Sequence, residues 1–200
     1  MDEFETRLDF GTRLVNRDLM DGIITVEGPI NTGYVMALAR EIREVKRLGG
    51  KPLSIHLLSG GGGVYPATSL YDTLRRYSET VAPVTITVMG VAASAASMIV
   101  LQAADPMRRL ATPNSRLMVH EVRSWYQFGI EKAMSEAEDD QKEMRKLQDS
   151  LLDLLAARTG QDRTFWEDTI RRQERWFSAP EALEAGLIDE VVTPATVVLL

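Results

Sequence analysis

Short β-branched runs that alternate with stretches of helical period restrict the fold of this chain more than any other feature. GIITVEG, Gly22 to Gly28, is apolar and bounded by glycines, so it reads as a strand. Asn31 to Leu48 follows with Val35, Leu38, Ile42, Val45 and Leu48 at helical spacing, and Gly49-Gly50 stops that helix. Leu53 to Leu58 reads as a second strand. A glycine run from Gly60 to Gly63 leads into a helix carrying Leu70, Leu74 and Tyr77. VTITVMG, Val84 to Gly90, is a third strand, followed by a small-residue helix from Ala92 to Ala103. RLMVH, Arg116 to His120, is a fourth. Alternation of this kind predicts an α/β fold with a largely parallel sheet.

The C-terminal part changes character. Ile130 to Arg158 reads as one long, highly charged helix whose apolar residues, Ala137, Met144, Leu147, Leu151 and Leu154, form a narrow stripe. A stripe that narrow covers little core, so the helix is expected to project and pack on a partner subunit. Glu138 and Lys142 stand in the favourable i,i+4 order. Gly160 ends the helix. Phe165 to Ile170 and Pro180 to Ala185 read as shorter helices, and LIDEVV as a last strand. Residues 1–18 are polar and of mixed charge, an expected exposed arm. With 200 residues and no Pro/Ser-rich linker, the expectation is a single domain over 1–200.

Composition narrows the function. The net charge is −6 with both signs interspersed, so no basic face for nucleic acid is visible. The absence of Cys excludes thiol nucleophiles, thiolate metal sites and disulfides. The most apolar stretch, Val81 to Ala104, is broken by Pro83, Thr85, Thr87, Gly90, two serines and Gln102, which suits a buried strand and helix rather than a membrane span. The start, MDEFETRLDF, is acidic and lacks the basic-then-apolar order of a signal sequence. The expectation is a cytoplasmic protein with no cofactor, metal, nucleic acid or membrane partner.

Two strand-to-helix junctions carry the chemistry. In LSGGGGVYPA, Leu58 to Ala67, four glycines let a backbone approach a ligand closely. No GK[ST] follows, which argues against a phosphate loop. In MGVAASAASM, Met89 to Met98, a strand turns through Gly90 into Ala and Ser, with Ser94 near a helix start where backbone N–H groups lack partners. A serine so placed can be a nucleophile or simply a cap in a tightly packed junction. Ser97, one turn on, reads as packing. A serine nucleophile needs a base. The chain has two histidines: His56 inside an apolar strand and His120 at a strand's end, where α/β active sites assemble. Position favours His120.

These residues resemble the proteolytic subunits of Clp proteases. LSGGGGVYPATSLYDTL is similar to their Ser-Pro-Gly-Gly loop and following helix, and GVAASAASM to their Gly-x-Ala-Ala-Ser nucleophile motif. TPNSRLMVHEV, Thr112 to Val122, resembles their Pro-Asn-Ser-Arg…His segment, and FSAPEALEAGLIDEVV, Phe177 to Val192, their C-terminal run. The resemblance implies the α/β spiral of β-β-α units shared with crotonases, bearing a projecting handle helix near 125–158. It implies Ser94 as nucleophile, His120 as general base, and Gly62 and Ala95 as oxyanion donors. Gly61, Gly63, Trp125 and Tyr126 would border the substrate. It further implies a homo-oligomer of two stacked heptameric rings, a tetradecamer, that degrades peptides and unfolded chains delivered by an AAA+ unfoldase.

Departures from the family pattern are specific. The triad Asp is matched by Glu174, within a segment about two residues longer. The loop's proline is Gly60, the proline beyond the histidine is Val122, and a tyrosine of the unfoldase pocket is His56. Two other readings compete: a catalytically silent ring subunit and a crotonase-like acyl-CoA enzyme of the same fold.

Overall fold

The computed structural model describes residues 10–123, 134–171 and 173–193. The described chain opens on α1 (Phe10–Asp21), then β1 (Ile23–Glu27), α2 (Thr32–Arg47), β2 (Leu53–Ser59), α3 (Val64–Thr80) and β3 (Val84–Ala93). A π-helical turn (Ala96–Val100) and a 3-10 turn (Leu101–Ala103) lead to β4 (Arg109–Ala111) and β5 (Arg116–Val119). The remainder is α4 (Met134–Thr159), α5 (Arg163–Ile170), β6 (Arg175–Ser178), α6 (Ala179–Glu184) and β7 (Glu190–Val191).

Alternation of inward apolar residues fixes the register. In β2, Leu53, Ile55 and Leu57 are buried while Ser54 and His56 are partly exposed. β1–β2–β3–β4–β7 run side by side, all parallel, and β5 joins β3 in parallel and β6 in antiparallel sense. The sheet is therefore largely parallel, as the alternating pattern predicts. Asn31 caps α2 by accepting from Tyr34 N–H, and Val35, Leu38, Ile42 and Val45 face the sheet. Ser178 and Glu181 form a reciprocal capping box at α6.

β3 departs from the expected boundary. It does not end at Gly90 but runs to Ala93, and the segment after it is not a regular α-helix. Gly90, at φ +97°, makes a bulge there. Before the bulge β3 pairs with β4, and beyond it with β5. Buried Ser115 holds the bulge: its Oγ accepts from Gly90 N–H at 3.2 Å and donates to Val88 O at 2.9 Å. Three-residue β4 and four-residue β6 carry patterns too short to be seen in the sequence.

Three other expectations change. The expected arm is helical from Phe10, and buried Leu19 anchors that helix. Lys142 pairs with Asp139 at 3.0 Å rather than with Glu138, both side chains being exposed. The C-terminal half of α4 docks on its own domain through buried Leu151, Leu152 and Leu155, so Leu151 is not left for a partner. Met144 and Leu147 stay half-buried and most residues around them are exposed, so the N-terminal half is covered less, with Tyr65 Oη donating to Glu143 Oε1 at 3.3 Å.

A buried polar cluster ties the C-terminal segment to the sheet. Arg109 meets both carboxylate oxygens of Asp189 and donates to Gln102 Oε1 (3.0 Å) and Gly186 O (2.8 Å). Gln102 in turn donates to Ser97 O. Complete pairing is what makes such burial tolerable.

Candidate active site

Ser94 stands at the point where β3 ends. Its φ of +57° is left-handed, which a non-glycine residue adopts only where its surroundings impose it. The surroundings are backbone bonds: Ser94 N–H donates to Met118 O (2.9 Å), and Ser94 O accepts from Ser97 N–H (3.1 Å) and Met98 N–H (2.9 Å). This turn, and not one at Gly90, presents the hydroxyl to solvent. Ser97 is fully buried, with its Oγ donating toward Ser94 O and Met118 O, a packing and fastening residue as expected.

His120 follows β5, which lies beside the end of β3 with Ala93 opposite Met118. That register brings His120 Nε2 to 2.8 Å from Ser94 Oγ. His56 is elsewhere, on β2 between Thr25 and Thr87. Burial pushes the His120 pKa below its ordinary value, and the charge of Arg123 adds to this. The Glu121 backbone and the charge of Glu174 act the other way. The ring is thus favoured in the neutral form a base requires.

The glycine run is a fastened edge rather than a free loop. Ile30 N–H donates to Gly61 O and Gly63 N–H to Ile30 O, each at 2.9 Å. Ser59 Oγ accepts from Gly61 N–H (3.1 Å) and donates to Gly28 O (2.6 Å). In parallel pairing the residues flanking Gly62 make the bonds to Ile30, so Gly62's own N–H faces the opposite side. A Cβ on Gly62 would lie 2.2 Å from Ile30 O, and one on Gly61 would lie 2.7 Å from Ser94 Cβ. Glycine is required at both places by contact with other backbone. Ala95 opens the helical run after Ser94, and the first N–H groups of such a run lack intrahelical acceptors.

A cleft of about 460 Å³ joins these parts, lined by the glycine loop, Ser94, Ala95, Met118, His120 and Arg123. Gly61, Gly62 and Gly63 all border it. Trp125 and Tyr126 lie outside the described residues.

Glu174 is placed differently from the rest. It precedes β6, which runs antiparallel to β5, so it comes near His120. Its Oε1 pairs with Arg123 Nη1 at 3.1 Å, while His120 Nδ1 is buried without a hydrogen-bond partner. Sequence reasoning missed Arg123, and also Ser59 and Ser115, which fasten the two junctions. A serine directly before a glycine run is a signal that could have found Ser59.

Among the described residues, no cluster of His, Cys, Asp or Glu is suited to a metal ion, and no helix is long and apolar enough to cross a membrane. Comparison with known proteins gives the family. The chain is 32% identical over 191 residues to the ATP-dependent Clp protease proteolytic subunit 1 of Salinibacter ruber, covering 95% of this chain and 78% of that protein. It is 33% identical over 189 residues to the ATP-dependent Clp protease proteolytic subunit of Bacteroides fragilis, covering 94% and 84%. The Clp protease family pattern matches residues 9–195. With that extent of match, and with a serine and a histidine in contact beside a fastened glycine edge, the chain belongs to the Clp protease family.

Proposed function

We propose that this chain is a serine endopeptidase subunit that cleaves peptides and unfolded proteins. The observation that carries the reading is the 2.8 Å contact of Ser94 Oγ with His120 Nε2 at a left-handed turn in the cleft. Ser94 O–H donates to Nε2, the oxygen attacks the scissile carbonyl, and the ring takes the proton. The N–H groups of Gly62 and Ala95 stabilise the resulting oxyanion. The imidazolium then protonates the leaving amine, and water releases the acyl group from Ser94. Glu174 supplies the carboxylate that orients His120. Substrate lies extended along Gly61 and Gly63 as an added strand.

The assembly belongs to the same reading: stacked seven-membered rings, joined through the N-terminal half of α4, fed by an AAA+ unfoldase in the cytoplasm. The relatives' printed description as ATP-dependent supports the unfoldase. An acyl-CoA enzyme of this fold would leave the Ser94–His120 contact without a purpose. A fluorophosphonate probe tests the central point. Wild type is expected to label, and Ser94→Ala to lose both label and hydrolysis of a fluorogenic peptide. Full labelling of Ser94→Ala would remove Ser94 from the mechanism.

A further inference from the structure

We propose that Arg123 is a positioning residue that holds Glu174 away from His120, so that the triad forms only when Glu174 exchanges one partner for the other. The inference rests on the peptidase reading above and concerns how its site is switched.

Two geometric facts meet at Arg123. Its guanidinium binds Glu174 at 3.1 Å, and the ring nitrogen that a triad carboxylate serves, His120 Nδ1, is buried with no partner. For Ser94 O–H to donate to Nε2, the ring proton must reside on Nδ1, and that N–H needs an acceptor. Glu174 is the acidic group brought beside it by β6, and it is occupied. Arg123 therefore acts twice against the working arrangement: it takes the carboxylate, and its charge opposes an imidazolium. Burial is the first cause of the depressed His120 pKa; the charge of Arg123 adds to it and that of Glu174 opposes it. The groups that bear on His120 are the charge of Arg123 and the backbone of Glu121 from its own segment, and the charge of Glu174 from the segment before β6. Among the described residues, the glycine loop, the start of α3 and α4 turn only Gly60–Gly63, Val64 and Leu151 to the cleft.

The pair is built to be exchanged. Both side chains are substantially exposed, at 59% and 41%, and exposed ion pairs are weak. The segment carrying Arg123 is also fastened to α4, since Val122 N–H donates to Gln148 Oε1 at 2.7 Å. The position of α4 thus bears on where Arg123 stands.

The chain has two histidines, so ring titration by NMR reads His120 directly in the full chain, with His56 as internal reference. In Arg123→Gln the His120 pKa is expected to rise, the acid limb of kcat/KM to move to higher pH by the same amount, and kcat to increase several-fold at unchanged KM. Arg123→Lys keeps the charge but loses the planar fork and should fall between. Glu174→Gln should cost more activity in the Arg123→Gln background than in wild type, and should return the His120 titration toward its original position. An unchanged His120 titration in Arg123→Gln, or one indifferent to Glu174→Gln in that background, overturns the proposal. Failure of the peptidase reading would appear separately, as labelling that survives Ser94→Ala, because the titration needs no turnover.

Discussion

Ser94 and Ser97 are three residues apart on one turn, yet they face opposite ways. Ser94 Oγ meets His120 in the cleft, while Ser97 is buried against the carbonyls of Ser94 and Met118. Loss of Ser94 or His120 is expected to reduce turnover by several orders of magnitude. Ser97→Ala leaves those carbonyls with their backbone donors, so it should cost only about 1 kcal/mol of stability and little activity. Urea unfolding and peptide hydrolysis of the three variants check this, and a dead Ser97→Ala beside an active Ser94→Ala would reverse the roles. A second expectation concerns pH. His120 must be neutral to act as a base, and burial holds its pKa below 6.5. The acid limb of kcat/KM in wild type should therefore have its midpoint below pH 6.5, and a midpoint above it would contradict the burial argument.

At the scale of elements, the glycine edge and β3 form one device. Gly60 has open space where a Cβ would go, whereas a Cβ on Gly61 would strike Ala93 O at 2.6 Å and Ser94 Cβ at 2.7 Å. Gly60→Ala should thus retain near-normal kcat. Gly61→Ala must move the loop or the serine turn and should lower kcat on the order of a hundredfold, the scale of losing one oxyanion donor. Equal activity in both variants would show that the close approach of loop and serine is not used. In α4 the two halves have different duties. Leu155 is fully buried in the domain, so Leu155→Ala should cost about 2–5 kcal/mol in denaturation. A charge at half-buried Leu147 should spare the fold and weaken assembly. Sedimentation of Leu147→Glu decides that: rings as stable as wild type would mean this half of α4 is not the contact.

For the molecule as a whole, acid sensitivity has two separate windows. Burial lowers the pKa of both His56 and His120 below 6.5, so the unfolded chain takes up protons at higher pH than the folded one. Stability should be fully present above about pH 6.5 and fall as pH drops from there through the folded values. For Asp105 and Asp189 burial alone would raise the pKa. Hydrogen bonds from Ser78 and Val84 N–H with the charge of Arg75, and from Arg109 with the charges of Arg109 and Arg158, bring them below 3.8. Their contribution is lost only below that region. Urea midpoints should thus decline first as pH falls below about 6.5, and His56→Gln should reduce that first decline. A flat profile down to pH 5 would mean the histidines titrate normally in the folded state.

Most of the strands, the α2 and α3 helices and the two junctions were legible because each depends on neighbours in sequence: β-branched runs, a 3.6-residue period, glycine stops. The places of Ser94, His120 and the glycine run at the ends of elements were legible too, since local pattern defines those elements, but the roles of Ser94 and His120 came from the family resemblance. What only the tertiary structure decided depends on contacts between distant segments. The bulge at Gly90 let β3 run on to Ala93, because Ser115, far along the chain, satisfies its N–H. β4 and β6 are strands only because a neighbour offers them partners. Leu152 and Leu155 became core because α4 docks by one end. The pairing of Glu174 with Arg123 rather than His120 joins residues about fifty positions apart, and a charge's partner is set by distance in space, which no local pattern encodes.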